Sequence, residues 1–128
     1  MAGSCTFCKE EKLRSKKLID KIFAEGKSVS HAGFALYYYT TPLLTRYPMQ
    51  AAFAVPKRYH RLAVNRNRIK RLMREVWRKN KMPLYMALAA RQTQAAVMWM
   101  YRGKSIPDYV TCEQRMLSLI HKLQNALT

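Results

Sequence analysis

The sequence predicts a single α+β domain with the element order α-β-β-β-α-β-α. Three observations carry that prediction. Between residues 64 and 81, Ile69, Leu72, Met73, Val76 and Trp77 recur at i, i+3, i+4, i+7 and i+8, the spacing of an apolar helix stripe laid on a core. Residues 33–41, GFALYYYTT, form an aromatic run ending in β-branched residues, which favours a strand. Near the end of the chain, Cys112, Met116, Leu119, Ile120, Leu123 and Leu127 repeat the helical stripe. A chain of 128 residues makes one domain with room for a hydrophobic core. Residues 1–12 carry no clear periodicity and are expected to be a flexible terminus, leaving residues 13–128 as the domain.

Taken in order, Ser15 is the expected N-cap of a short helix with Leu18, Ile19, Ile22 and Phe23 on one side. Gly26 is expected to end it in a left-handed turn. Residues 27–31 read as a short strand. In the strand that follows, alternation places Phe34, Leu36 and Tyr38 on one face and Ala35, Tyr37 and Tyr39 on the other. Pro42 to Pro48 makes a turn, and Met49 to Val55 is a further strand that Pro56 closes at the sheet edge. The basic helix is expected from about Val64 to Lys81, with Pro83 ending or kinking it. Leu84–Arg91 adds a short helix of good helix formers. Residues 95–101, AAVMWMY, read as a buried strand, and Asp108 as the cap of the last helix.

The composition is dominated by charge, with a formal net charge of +17 and an isoelectric point near 10.3. Such a field attracts polyanions, so nucleic acid is the first partner to consider and an anionic membrane surface the second. No apolar run of membrane-spanning length and no signal-like apolar core is present, so a cytoplasmic protein without a membrane partner is expected. Eleven of the 24 Lys and Arg residues fall within residues 57–81, beside one acid, Glu75. On the helix, Arg66, Asn67, Lys70, Arg71, Arg74 and Arg78 occupy the arc opposite the apolar stripe, with Arg68 and Lys79 extending it. Arg66, Lys70, Arg74 and Arg78 stack at four-residue steps and repel one another, a repulsion that a bound polyanion would remove. An ordinary solvated face mixes signs, and this one hardly does.

Reactive groups are scarce. The seven acids are scattered, and Glu10 with Glu11, or Asp20 with Glu25, read as helix-surface charges rather than magnesium ligands. Glycine-rich phosphate loops and hydrolase motifs are absent. Cys5 and Cys8 have metal-ligand spacing, but a closed zinc site needs four ligands, and Cys112 and the scattered His31, His60 and His121 do not complete one. No catalytic and no metal-binding residue is therefore assigned, and the thiols are expected to be reduced. The pattern is that of a binding protein. Phe23, Tyr37 and Tyr39 offer flat faces on which unpaired bases stack. Core and stacking roles are both open for Phe23, whereas Tyr37 shares its face with only Ala35 and Tyr39 and is assigned to binding. Composition alone is served equally well by a non-enzymatic RNA-binding or ribosome-associated domain. A DNA-binding regulator would need a partner helix that is not evident.

The run Asn65-Arg66-Asn67-Arg68-Ile69-Lys70-Arg71-Leu72-Met73-Arg74-Glu75 resembles the signature helix of the bacterial ribonuclease P protein subunit, whose pattern is R-N-R-I-K-R-L-x-R-E after a strand and a lysine-rich turn. Here Phe53-Ala54-Val55-Pro56-Lys57-Arg58 stands in that preceding position, and residues 18–29 resemble the family's first helix and glycine turn. The resemblance covers nearly everything after residue 12. It departs at Ile19, where the family often has an aromatic, at Pro56, and at His60-Arg61-Leu62, a longer loop without the usual glycine.

The resemblance implies a sandwich of a four-stranded sheet and helices with a left-handed β-α-β crossover, the ribosomal protein S5 domain 2-like fold. It implies a protein component of the ribonucleoprotein endoribonuclease that removes the 5′ leader of precursor tRNA. The implied partners are the catalytic RNA and precursor tRNA, with no further protein required. The catalytic groups, and mainly the Mg2+ ions, would be held by the RNA. Arg66, Asn67, Arg68, Lys70, Arg71 and Arg74 inherit the contact with the catalytic RNA. Ile19, Phe23, Ser28 and Tyr37 would line a cleft for the single-stranded leader, with Lys57 and Arg58 near its phosphates.

Overall fold

Helix α1 (Lys16–Glu25) begins where expected, because the Ser15 hydroxyl accepts a hydrogen bond from the Leu18 N–H at 3.2 Å. The computed structural model describes residues 7–127. After α1 come β1 (Lys27–His31), β2 (Phe34–Thr40) and β3 (Met49–Ala54), then α2 (Ala63–Asn80), α3 (Met82–Ala90), β4 (Ala95–Tyr101) and α4 (Tyr109–Leu127). The predicted order holds, with the short second helix as α3. That helix starts at Met82, because Pro83 is accepted in a first turn, where no N–H is needed. Asp108 caps α4 through a 2.8 Å bond from the Thr111 N–H, and this contact holds the carboxyl below the usual Asp range.

The four strands make one sheet in the order β1-β2-β4-β3. β1 and β2 form a hairpin whose two turn residues, Ala32 and Gly33, both have positive φ, at 50° and 90°. β2 and β4 are antiparallel, whereas β3 and β4 are parallel and joined through α2 and α3. Alternation on β2 sorts its side chains as expected. Phe34, Leu36 and Tyr38 join Val97, Trp99 and Tyr101 in the main core, under Ile69, Met73, Val76 and Trp77 of α2 and the apolar stripe of α4. The opposite face is thinner. Leu13, Ile22, Ala96 and Met98 are buried there, with Ile19, Tyr37, Tyr39, Ala52 and Ala54 partly covered. One ten-residue helix, α1, packs against β2 and β4 on that face and leaves Phe23 47% exposed.

Three expectations need correction. Gly26 does not adopt the left-handed conformation: its φ of −78° and ψ of 176° are extended. Glycine is required there by close approach, since a Cβ would sit 2.6 Å from the Tyr38 carbonyl oxygen and closer still to that of Ile22. Gly26→Ala is therefore expected to cost about 1–3 kcal/mol by overpacking. Equilibrium urea unfolding checks this, and an unchanged midpoint would contradict it.

The second correction concerns the amino-terminal segment, of which residues 7–12 are anchored rather than flexible. Lys9–Glu11 forms a 3-10 turn, Lys12 bridges to Ala51, and the Leu13 N–H donates to the Ala51 carbonyl at 2.9 Å, which covers the outer edge of β3. Residues 1–6, including Cys5, lie outside the described residues.

Thirdly, Glu11 is no surface charge. It is 1% exposed and forms an ion pair with Lys81, likewise 1% exposed, while the Tyr85 hydroxyl donates to the same carboxylate oxygen. Burial opposes the charged form of Glu11, but the hydrogen bonds from Lys81, Tyr85 and the Cys8 N–H outweigh it and hold its pKa below the ordinary value.

Candidate nucleic-acid interface

The apolar stripe of α2 sets which way its cations face. Ile69, Met73, Val76 and Trp77 are fully buried, and the Trp77 ring meets Trp99 edge-on at 5.9 Å, so the helix cannot rotate without opening the core. Asn67, Arg68, Arg71 and Arg74 are exposed and Lys70 is half-buried. Among the described residues, none of the four cations Arg68, Lys70, Arg71 and Arg74 has an ion-pair or hydrogen-bond partner.

The two ends of the ridge differ from its middle. Arg78 grips Glu75 through two bonds of 3.0 and 2.7 Å, and Lys79 lies 3.6 Å from the same carboxylate. The Arg78 contact, opposed by slight desolvation, keeps Glu75 ionised below the usual Glu range. Arg66 Nη1 donates to the carbonyl oxygens of His60 and Arg61, at 3.0 and 2.8 Å. Arg66 thus clamps the turn before its own helix, and its remaining donors stay available.

That turn is the lengthened loop noted in the sequence, and His60 explains how it is held. Its ring is buried beside Tyr101, and Nε2–H donates to the Gly103 carbonyl oxygen at 2.7 Å, which places the proton on Nε2. Lys57 and Arg58 are exposed on this turn, with the Arg58 guanidinium 5.1 Å from the Tyr59 ring.

Four of the six predicted cleft residues come together on the thin face of the sheet. Phe23 is 47% exposed, and its ring centre lies 4.9 Å from that of Tyr37 at a tilt of 59°. Ser28 is the cross-strand neighbour of Tyr37, and Ile19 packs into the same cluster. Lys57 and Arg58 follow β3, which β4 separates from β2, so they stand two strands away from the Phe23–Tyr37 pair. Arg102 reaches that pair instead, and sequence reasoning missed it. Its guanidinium donates to the Tyr37 hydroxyl and lies 5.6 Å from the Tyr37 ring centre. The alternation Met98, Met100, Arg102 was the available signal, but it acquires meaning only with the β2–β4 register.

At the far end of the sheet a cavity of about 400 Å³ lies among Gly26, Lys27, Tyr39, Arg91, Thr93 and Leu127, so Tyr39, a candidate stacking face in the sequence, lines this cavity, whereas none of the residues assigned to the cleft or the RNA contact does. The described residues contain no group of three or more His, Cys, Asp or Glu side chains placed to hold a metal ion. Cys112 is buried, which pushes its thiol up to about 12 and leaves it inert as a nucleophile. No described helix is long and apolar enough to cross a membrane.

Comparison with known proteins matches this geometry to one family. Residues 7–124 fit the sequence profile described as Ribonuclease P. The chain is 34% identical over 126 residues to the ribonuclease P protein component of Chlorobium phaeobacteroides, covering 91% of this chain and 86% of that one. It is 35% identical over 127 residues to the component of Porphyromonas gingivalis, with the same coverage of 91% and 86%. Among solved structures, the Staphylococcus aureus RNase P protein superposes with a TM-score of 0.72 at 17% identity, over 88% of this chain and 94% of that one. The Thermotoga maritima RNase P protein gives 0.70 at 23% identity, over 88% and 96%, and these two share the fold. With a basic helix whose middle cations, Arg68 to Arg74, lack acid partners among the described residues, on that same fold, the chain belongs to the ribonuclease P protein family.

Proposed function

We propose that this chain, as the protein component of ribonuclease P, binds both the catalytic RNA and the 5′ leader of precursor tRNA while the RNA carries out the cleavage. The observation that supports this best is the middle of α2, where four cations stand on a rigid helix without internal compensation. Arg68, Lys70, Arg71 and Arg74, with Asn67 and the remaining donors of Arg66, meet the phosphates of the folded RNA and release its counterions. Ile19, Phe23, Ser28 and Tyr37 hold the leader as an extended strand, with a base stacked on the aromatic pair. Lys57 and Arg58, exposed at the end of β3, meet phosphates beyond the pair.

In this reading no side chain of the protein attacks the scissile phosphate. Magnesium belongs to the RNA subunit, where it supplies charge neutralisation and activates water. The complex works in the cytoplasm, and the protein contributes binding energy and orientation.

The test is reconstitution with the catalytic RNA, followed by equilibrium binding of precursor and mature tRNA to the holoenzyme. Precursor is expected to bind about tenfold or more tightly, as one or two stacked bases would give. Equal affinities would overturn the leader site, and failure to stimulate cleavage at low magnesium would overturn the subunit role.

A further inference from the structure

We propose that His60 is a positioning residue for catalytic-RNA binding, whose ring fixes the two backbone carbonyls that hold the Arg66 guanidinium, so that Arg66 meets a phosphate already oriented. The proposal rests on reading Arg66 as an RNA contact, and it gives a role to a buried side chain that lies outside the signature run.

The turn before α2 has little else to hold it. Leu62, the N-cap of α2, offers no side-chain bond to the unpaired N–H groups of the first turn. Within the turn, the Tyr59 and His60 N–H groups share the Pro56 carbonyl at 3.2 and 3.4 Å, both at the long end of the hydrogen-bond range. Lys57, Arg58, Arg61 and Leu62 are exposed, and His60 is the one residue of positions 56–62 that is buried. What it reaches is rigid. Its ring lies 6.0 Å from that of Tyr101 at a tilt of 23°, and Nε2–H donates to the Gly103 carbonyl oxygen at 2.7 Å. Tyr101 in turn is 1% exposed, packs on Phe34 at 4.6 Å, and donates its hydroxyl to the Ser105 carbonyl at 2.8 Å. The Arg102 N–H, bonded to the Gly33 carbonyl at 2.8 Å, ties the same segment to the β1–β2 hairpin. His60 therefore carries the position of the main core out to a surface turn.

Arg66 takes its direction from that turn. Its Nη1 group gives one proton to the His60 carbonyl at 3.0 Å and the other to the Arg61 carbonyl at 2.8 Å. Among the described residues, Arg66 has no acid partner. The Nε–Nη2 edge, which makes two parallel N–H bonds to a phosphate, is left open and aimed by the two carbonyls. An arginine on a free stem loses rotamer freedom when it binds, and a clamp already in place lowers that cost. Arg68 and Arg71, farther along α2, have no such clamp.

The experiment is a double-mutant cycle on the affinity of the full-length protein for ribonuclease P RNA, with wild type, His60→Ala, Arg66→Ala and the double variant. His60→Phe, which keeps a ring on Tyr101 and removes the N–H, runs through the same cycle as the milder change. Melting of each free protein sets a temperature at which all are folded, and binding is measured there. Arg66→Ala is expected to weaken binding about tenfold and to lower the slope of log K against log salt by about 0.9, the share of one duplex phosphate. His60→Ala should weaken binding about fivefold, and His60→Phe about threefold, when Arg66 is present. In the Arg66→Ala background either change should cost less than about twofold, because the residue it positions is gone. His60→Gln, whose side-chain amide N–H reaches for the same Gly103 carbonyl, should restore most of the affinity. Wild-type affinity in both His60→Ala and His60→Phe, or the same loss with and without Arg66, would overturn the proposal. An Arg66→Ala protein with wild-type affinity and slope would instead remove the RNA contact on which it rests.

Discussion

Replacing Arg68, Arg71 and Arg74 together by Gln is expected to weaken binding of the ribonuclease P RNA by about 10²–10³-fold near physiological salt. The three side chains are exposed, lack internal partners and lie on a helix whose opposite side is locked into the core. Each therefore meets a phosphate without first giving up another contact. Gln preserves length and helix propensity, so the loss reports charge rather than fold. The slope of log K against log salt should fall by about 2–3, in line with three phosphates no longer neutralised. The free protein should melt no lower than the wild type, because like charges on neighbouring turns repel and their removal relieves α2. Arg78→Gln is the internal comparison. Its guanidinium is already bound to Glu75, so the expected loss is smaller than for any one of the three. A triple variant that keeps both affinity and slope would show that the ridge does not face the RNA.

The ridge was readable because everything that makes it is local. Ile69, Met73, Val76 and Trp77 state the buried side of α2 within nine residues, and the cations occupy what is left. The two faces of β2 were readable for the same reason, since alternation needs only neighbours in the chain. What escaped depends on register and distance. Arg102 joins Tyr37 across 65 residues, through a pairing of β2 with β4 that no local pattern specifies. Glu11 and Lys81 are 70 residues apart, and each taken alone looks like a solvated charge beside others of its kind. Gly26 gave the reverse lesson. Glycine at the end of a helix suggested a left-handed cap, whereas the backbone is extended and a Cβ would strike both the Ile22 carbonyl of α1 and the Tyr38 carbonyl on another element.

The buried pair leads to the second large effect, on stability. Glu11→Ala is expected to destabilise the protein by about 3–5 kcal/mol, because it leaves the Lys81 ammonium charged, buried and without its carboxylate. Glu11→Gln with Lys81→Met, which removes both charges and keeps an acceptor for the Tyr85 hydroxyl, should fall within about 1 kcal/mol of the wild type. Lys81 sits at the junction of α2 and α3, and the segment bearing Glu11 is bridged to β3, so the pair fastens the end of the basic helix to the sheet edge. Acid should reproduce the single variant. The folded-state pKa of Glu11 is depressed, so its contribution is complete above the ordinary value of 4.5 and is lost as pH falls through the lower folded value. The wild type should therefore lose stability relative to the charge-free double variant as pH drops below 4.5, measured as the difference between their urea unfolding free energies. A difference that stays flat down to the acid limit, or a Glu11→Ala protein as stable as the double variant, would show that Lys81 finds another partner or reaches water. In that case the segment would be held by the Leu13–Ala51 bridge and its apolar contacts alone.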